Sequence, residues 1–290
     1  MFRDSDIEVI AQMLASNPDP EAEGPQWEKR IQAFLHQSDG AYSLVIMTKD
    51  AIFGCRDHCG LRPLCIGQIK VKTSTGEEKT RYVLSSETCT LTMVGATYLR
   101  EVAPGEIVRY LTQNKQNLTI RIDENGLTSI PGREPQPAFC IFEYVYFARP
   151  DSLLEDQLVI GVRERLGMML AKESPVDADI VVAVPDSSVP AGIGYAKATG
   201  LPYVEGIAKN RYVHRTFIQP TQTLRKLGVS MKFTPIHERL QGKRVVLVDD
   251  SIVRGNTIEN LVAMLRNGGA TEVHVRISSP PVRSPCFMGM

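Results

Sequence analysis

Hydrophobic positions in the opening stretch fall at helical spacing. Ile7, Ile10, Met13 and Leu14 recur at three- and four-residue intervals and predict a helix over Asp6–Leu14. Ser16–Pro25, SNPDPEAEGP, has loop composition, and helical patterning resumes over Gln26–Leu35. From Ala41 to Arg109 the pattern changes to short apolar runs between turn residues. Strands are predicted at Tyr42–Met47, Ala51–Cys55, Pro63–Gly67, Arg81–Ser85 and Glu106–Tyr110. Pro131, Gly132, Pro135 and Pro137 crowd the best linker, so a first domain is expected over 1–134 and a second over 135–290.

Beyond the linker the periodicity alternates. Leu154, Leu158, Val162, Leu166, Met169 and Leu170 form one helical stripe, with Asp151 and Ser152 placed to cap its start. Ile180–Val184 reads as a buried strand ending at Pro185, Asp186, Ser187 and Ser188. A helix is predicted over Ala191–Ala198, a strand segment from Val204, a strand over Arg244–Val248, a helix over Ile258–Leu265 and a strand over Val273–Ile277. Repeated βα alternation predicts an α/β fold, a mostly parallel sheet with helices on both faces.

Charge narrows the classes of partner. The 33 basic and 33 acidic residues cancel, which removes any general attraction to nucleic acid or membrane. Positive charge gathers locally instead, in Lys209, Arg211, Arg215, Arg225, Lys226 and Lys232, and suits a small polyanion. No signal peptide opens the chain, and no apolar run approaches the roughly 18 residues of a membrane helix, so a cytoplasmic protein is expected. Asn117–Thr119 fits a glycosylation sequon, a chance match in that setting. The 6 cysteines there read as thiols or metal ligands rather than a disulfide framework. Cys55, Cys59 and Cys65 lie in the β-rich stretch and read as buried thiols before a metal site.

The chemistry concentrates in Arg244–Thr257, RVVLVDDSIVRGNT. An apolar run without polar alternation fits a strand buried on both faces of a parallel sheet. It ends in Asp249 and Asp250, and open α/β sheets bind ligands at the carboxyl ends of their strands. Gly255 lets backbone approach an anion, free N–H groups of a turn and helix start cradle phosphate, and Thr257 adds a hydroxyl. Two carboxylates beside such a nest suit ribose hydroxyls, or a Mg²⁺ shared with a pyrophosphate. The competing reading is an acidic strand end that caps an ordinary helix.

Further motifs follow the same order as in one family. Arg56–Leu64 reads RDHCGLRPL, Cys140–Ser152 CIFEYVYFARPDS, Lys209–Pro220 KNRYVHRTFIQP and Ser278–Gly289 SSPPVRSPCFMG. With the Arg244–Thr257 signature, they resemble the glutamine phosphoribosylpyrophosphate (PRPP) amidotransferases, or amidophosphoribosyltransferases, from residue 4 to the end. The resemblance implies the first committed step of purine synthesis: PRPP, glutamine and water give phosphoribosylamine, glutamate and pyrophosphate. It also implies a fold, a type I phosphoribosyltransferase sheet preceded by an incomplete N-terminal-nucleophile (αββα, class II) glutaminase domain.

Site roles come over by position. The resemblance gives Asp249 and Asp250 the ribose hydroxyls and Mg²⁺, and Ser187 a place in the metal sphere. Pro185, Asp186, Ser187 and Ser188 resemble its pyrophosphate loop. Ser251, Val253, Arg254, Gly255, Asn256 and Thr257 form the 5′-phosphate loop. Lys209, Arg211, Tyr212, Arg215 and Thr216 match a lid over bound PRPP, which excludes water. His214 stands where the family has glycine, which restricts φ in that segment. Asp4 matches a glutamine-binding aspartate.

The family's nucleophilic cysteine, substrate arginine and oxyanion Asn-Gly align upstream of residue 1, so the glutaminase half is expected to be inactive in this chain. Cys140 and Cys286 align with two ligands of a [4Fe–4S] cluster found in one branch. A cluster takes four thiolates, so these two are expected to stay free. The family also implies a homo-oligomer, with PRPP and glutamine or ammonia as small-molecule partners. Three functions are compatible with these residues: the enzyme, a defective form that binds PRPP or full-length subunits without glutamine-dependent turnover, and a PRPP-sensing module.

Overall fold

The computed structural model describes residues 5–16, 18, 24–72, 76–111, 126–210, 212, 232–253 and 255–288. It divides into two compact units. One contains Met1–Ile141, Asp151–Asp156 and Pro285–Met290, the other Phe142–Pro150 and Gln157–Ser284.

The first unit is built in layers. Helices α1 (Asp6–Ala15) and α2 (Trp27–Gln37) cover a sheet of β1 (Ser43–Met47), β2 (Ala51–Arg56), β6 (Glu106–Leu111) and β7 (Leu127–Pro131). Every pair in that sheet is antiparallel. Strand alternation explains the layering. Ala51, Phe53 and Cys55 point to the helix side, where they pack with Leu14, Ile31, Phe34 and Leu35. Val108 and Leu127 point the other way, onto Ile66, Tyr82 and Leu84 of a second antiparallel sheet. That sheet joins β4 (Glu78–Ser85), β3 (Cys65–Lys72) and β5 (Thr97–Glu101) in this order. Its outer face is covered by α3 (Thr88–Met93), through Leu91 against Cys65 and Ala96. β8 (Leu153–Leu154) belongs to this unit as well.

The second unit carries the parallel sheet that βα alternation predicts. Its strands are β10 (Ile180–Ala183), β13 (Arg244–Asp249) and β14 (Glu272–Ile277), with β13 central and both pairings parallel. A parallel bridge from Tyr203 to Val181 extends the outer edge of β10. The continuous apolar run is needed because both faces are covered. Val245 and Leu247 pack with Leu261 and Leu265 of α7 (Asn256–Asn267). Val246 and Val248 pack on the opposite face with Ala171 of α4 (Val159–Glu173) and Ala191 and Tyr195 of α5 (Val189–Thr199). The unit also contains a π-helix at Glu143–Phe147, the short strand β9 (Gln157–Leu158), an antiparallel pair of β11 (Ile207–Lys209) with β12 (Phe233–Pro235), and α6 (His237–Leu240).

One helix differs from its reading in sequence. α4 begins at Val159 with Leu158 in the cap position, so Asp151 and Ser152 cap nothing there. Ser152 Oγ donates instead to Glu87 Oε2 at 2.7 Å. The buried face of α4 is Val159, Arg163, Gly167 and Ala171, not the leucine stripe, and Met169 is half exposed. The reason is close backbone contact. A Cβ on Gly167 would lie 1.9 Å from the Ala191 carbonyl oxygen, and one on Gly194 of α5 would lie 2.0 Å from that of Glu164. Arg163 is buried because it donates from Nε to the Tyr144 carbonyl (2.6 Å) and from its terminal nitrogen to that of Ala148 (2.8 Å). Those bonds offset the cost of taking a guanidinium out of water.

Candidate functional site

Parallel register brings two turns to one sheet edge. Ile180 to Ala183 pair with Val245 to Val248, and Val184 N donates to the Val248 carbonyl at 2.9 Å. The chain after β10 and the chain after β13 therefore emerge side by side at the carboxyl end of the sheet. The first becomes Pro185–Ser188 and runs into α5, which has proline in its first turn. The Pro185–Asp186 peptide is cis. The second becomes Asp250–Gly255 and runs into α7. Gly255 sits before α7 with φ 76, a left-handed value that glycine adopts at no steric cost. Both helices direct their N-terminal N–H groups to this edge, which favours anions.

The polar side chains meet between the turns. Ser188 Oγ donates to Asp249 Oδ1 at 2.9 Å and lies 3.3 Å from Asp250 Oδ2. Ser187 Oγ donates to Asp250 Oδ2 at 2.5 Å, and Ser251 Oγ to Asp250 Oδ1 at 2.6 Å. The Asp250 amide donates to Asp249 Oδ1, and the backbone of both aspartates accepts from Ser278 and Ser279 amides. Asp249 and Asp250 are buried, at 9% and 6% exposure. Burial, and then the charge of Asp250, push the Asp249 carboxyl up to about 7. The Ser188 hydroxyl bond, the Asp250 N–H bond and the charge of Lys232 act in the opposite direction. A buried acidic pair in this state is suited to a cation or to hydroxyl donors.

The other expected residues fall into three groups. Lys209 ends β11, and its ammonium pairs with Asp186. Val253 and Tyr212 are exposed and Thr257 is half-buried in the first turn of α7. Asp4, Arg215, Thr216 and Arg254 lie outside the described residues, as do Arg211, His214 and the side chain of Asn256. Sequence reasoning placed Asp186 in the pyrophosphate loop but missed its pairing with Lys209, because nothing in the chain marks a lysine 23 residues away as its partner.

Cysteines contribute nothing to this edge. Burial pushes the Cys55 thiol, and burial with the nearby Glu101 charge the Cys65 thiol, up to about 12. Cys140 is half-buried and Cys286 exposed. Among the described residues, no group of three or more His, Cys, Asp or Glu side chains is placed to hold a metal ion. Nor is any helix among them long and apolar enough to cross a membrane.

A parallel sheet with an acidic pair at its central carboxyl end, flanked by two helix-start turns, is the kind of edge at which open α/β sheets bind ligands. Residues 155–278 match the family described as phosphoribosyl transferase domain. More particularly, the chain is similar to the amidophosphoribosyltransferases over nearly its whole length. That of Homo sapiens is 51% identical over 294 residues, which cover 99% of this chain and 55% of the relative. That of Synechococcus elongatus is 52% identical over 270 residues, 93% of this chain and 51% of the relative. The solved glutamine PRPP amidotransferase from B. subtilis, complexed with ADP and GMP, superposes with a TM-score of 0.81 at 46% identity. It covers 99% of this chain, which covers 58% of it. A structure described as the allosteric regulatory enzyme of purine biosynthesis matches with a TM-score of 0.80, also at 46% identity, over 99% of this chain and 57% of that one. The chain thus spans about half the length of the relatives it matches.

Proposed function

We propose that this chain carries the phosphoribosyl-transfer site of an amidophosphoribosyltransferase, which forms phosphoribosylamine from PRPP with glutamine or ammonia as nitrogen donor. The observation that carries this reading is the Ser187–Asp250 and Ser188–Asp249 contact at the sheet edge, joined to the relatives' printed activity. Asp249 and Asp250 accept from the ribose hydroxyls, and the Ser251–Thr257 turn with the start of α7 receives the 5′-phosphate. Lys209 and the Pro185–Ser188 turn face the pyrophosphate. Holding the sugar away from water limits hydrolysis in place of amination.

The residues present fit Mg²⁺. A crowded carboxylate pair is relieved by a divalent cation, and Mg²⁺ is commonly held by one or two carboxylates completed by substrate phosphate and water. Asp249, Asp250 and the Ser187 hydroxyl would hold it, and the ion would neutralise charge gathering on the departing pyrophosphate. A [4Fe–4S] cluster does not fit in the same way. Cys140 and Cys286 supply two of four thiolates, and no third ligand group gathers among the described residues. The domain reading assigns 1–134 to a class II glutaminase portion and 135–290 to phosphoribosyl transfer, in the cytoplasm and within a homo-oligomer. The defective-form alternative rests only on where the chain begins and ends, and on no feature of this site.

The test is release of pyrophosphate from PRPP by the purified chain, with Mg²⁺ and either ammonium at raised pH or glutamine. Release that depends on PRPP, Mg²⁺ and nitrogen donor together supports the reading. Release that persists in Asp249→Asn with Asp250→Asn contradicts it.

A further inference from the structure

Asp186 precedes the two serines that hold the acidic pair, and its own carboxylate pairs with the ammonium of Lys209. The backbone beneath Lys209 is fixed. Lys209 is in register with Phe233, and Asn210 N donates to the Lys232 carbonyl at 2.7 Å. Only the Lys209 side chain is free to choose a partner, and it is one-third exposed while Asp186 is 74% exposed. Meanwhile the hydroxyls of Ser187, Ser188 and Ser251 are all turned onto Asp249 and Asp250. The turn therefore satisfies itself: its hydroxyls serve internal carboxylates, and the nearby ammonium serves Asp186.

We propose that Asp186 is an internal counter-ion for Lys209, standing in for the anionic oxygens of a pyrophosphate group that must displace it to bind. The proposal rests on the reading of this edge as a pyrophosphate-ester site. An exposed ion pair adds little to stability, so the exchange costs the fold almost nothing. It does reduce affinity, because the ligand must displace a tethered carboxylate before Lys209 is available. It also keeps Lys209 over the turn while the site waits. Asp186 is in this sense a positioning residue that acts through Lys209.

The test is calorimetric titration of inorganic pyrophosphate with Mg²⁺ into the native chain, Asp186→Asn, Lys209→Met and the double variant. Asp186→Asn is expected to tighten binding by about two- to fivefold, the size of an exposed ion pair. Lys209→Met is expected to weaken it, and the Asp186→Asn gain to vanish in the Lys209→Met background. Unchanged or weaker binding by Asp186→Asn overturns the proposal. So does a gain that survives in Lys209→Met, which would assign the effect to general charge repulsion. If none of the four proteins binds pyrophosphate, the reading of the site falls, and this proposal with it.

Discussion

Ser188 Oγ reaches Asp249 Oδ1 at 2.9 Å across 61 residues of chain, and Ser188 is wholly buried. This bond fastens the end of β10 to the end of β13, and with it the two turns that form the site. Ser188→Ala should leave Asp249 with one fewer donor in a place that water barely reaches. We expect a loss of about 1–3 kcal/mol in urea unfolding, the usual result of an unsatisfied buried acceptor. Ser188→Thr, if the hydroxyl keeps its direction, should lose less.

Helix contact gives a sharper steric contrast. Gly194→Ala places a Cβ 2.0 Å from the Glu164 carbonyl oxygen, and that backbone atom has no rotamer by which to retreat. We expect destabilisation of about 1–3 kcal/mol or more, with a lower melting temperature. Gly161→Ala on the same helix pair meets only the tip of Arg165, at 3.5 Å. That variant should instead gain up to about 1 kcal/mol from helix propensity. Equal effects at the two positions would contradict the close α4–α5 crossing.

Two carboxyls contribute to the pH dependence in separate windows. Asp249 has its folded pKa raised from 3.8 to about 7, so between those values the folded chain binds more protons than the unfolded one. Stability from this group is full below about pH 4 and declines as pH rises towards 7. Asp179 behaves oppositely. Side-chain and backbone hydrogen bonds with Arg244 lower it from 3.8 to about 2. Its contribution is present above about pH 4 and is lost as pH falls towards 2. Asp249→Asn should therefore flatten the decline between pH 4 and 7 and leave the acid limb in place. Unfolding curves across pH would show this directly.

Sequence patterning reads best where burial is two-sided. Val245 to Val248 announce a central strand because no solvent face interrupts them, and all four are wholly buried. The acidic pair and the serine turn were legible as well, since strand ends and turn residues carry their own composition. Short elements of the first unit were not. α3, β5 and β7 are six, five and five residues long, rich in threonine or charge, and hidden from periodicity. The α4 stripe misleads for a different reason. Its buried face uses glycine for backbone contact and arginine for carbonyl bonding, neither of which counts as apolar. The Lys209–Asp186 pair depends on tertiary placement alone.

The central claim is that the acidic pair closing β13 holds a pyrophosphorylated ribose. Calorimetric titration of PRPP in Mg²⁺ into the native chain and into Asp249→Asn with Asp250→Asn tests it most directly. We predict Mg²⁺-dependent binding that the double variant weakens by at least about 100-fold, as several charge-assisted contacts are lost together. Undiminished affinity in the double variant would place the ligand elsewhere and contradict the account.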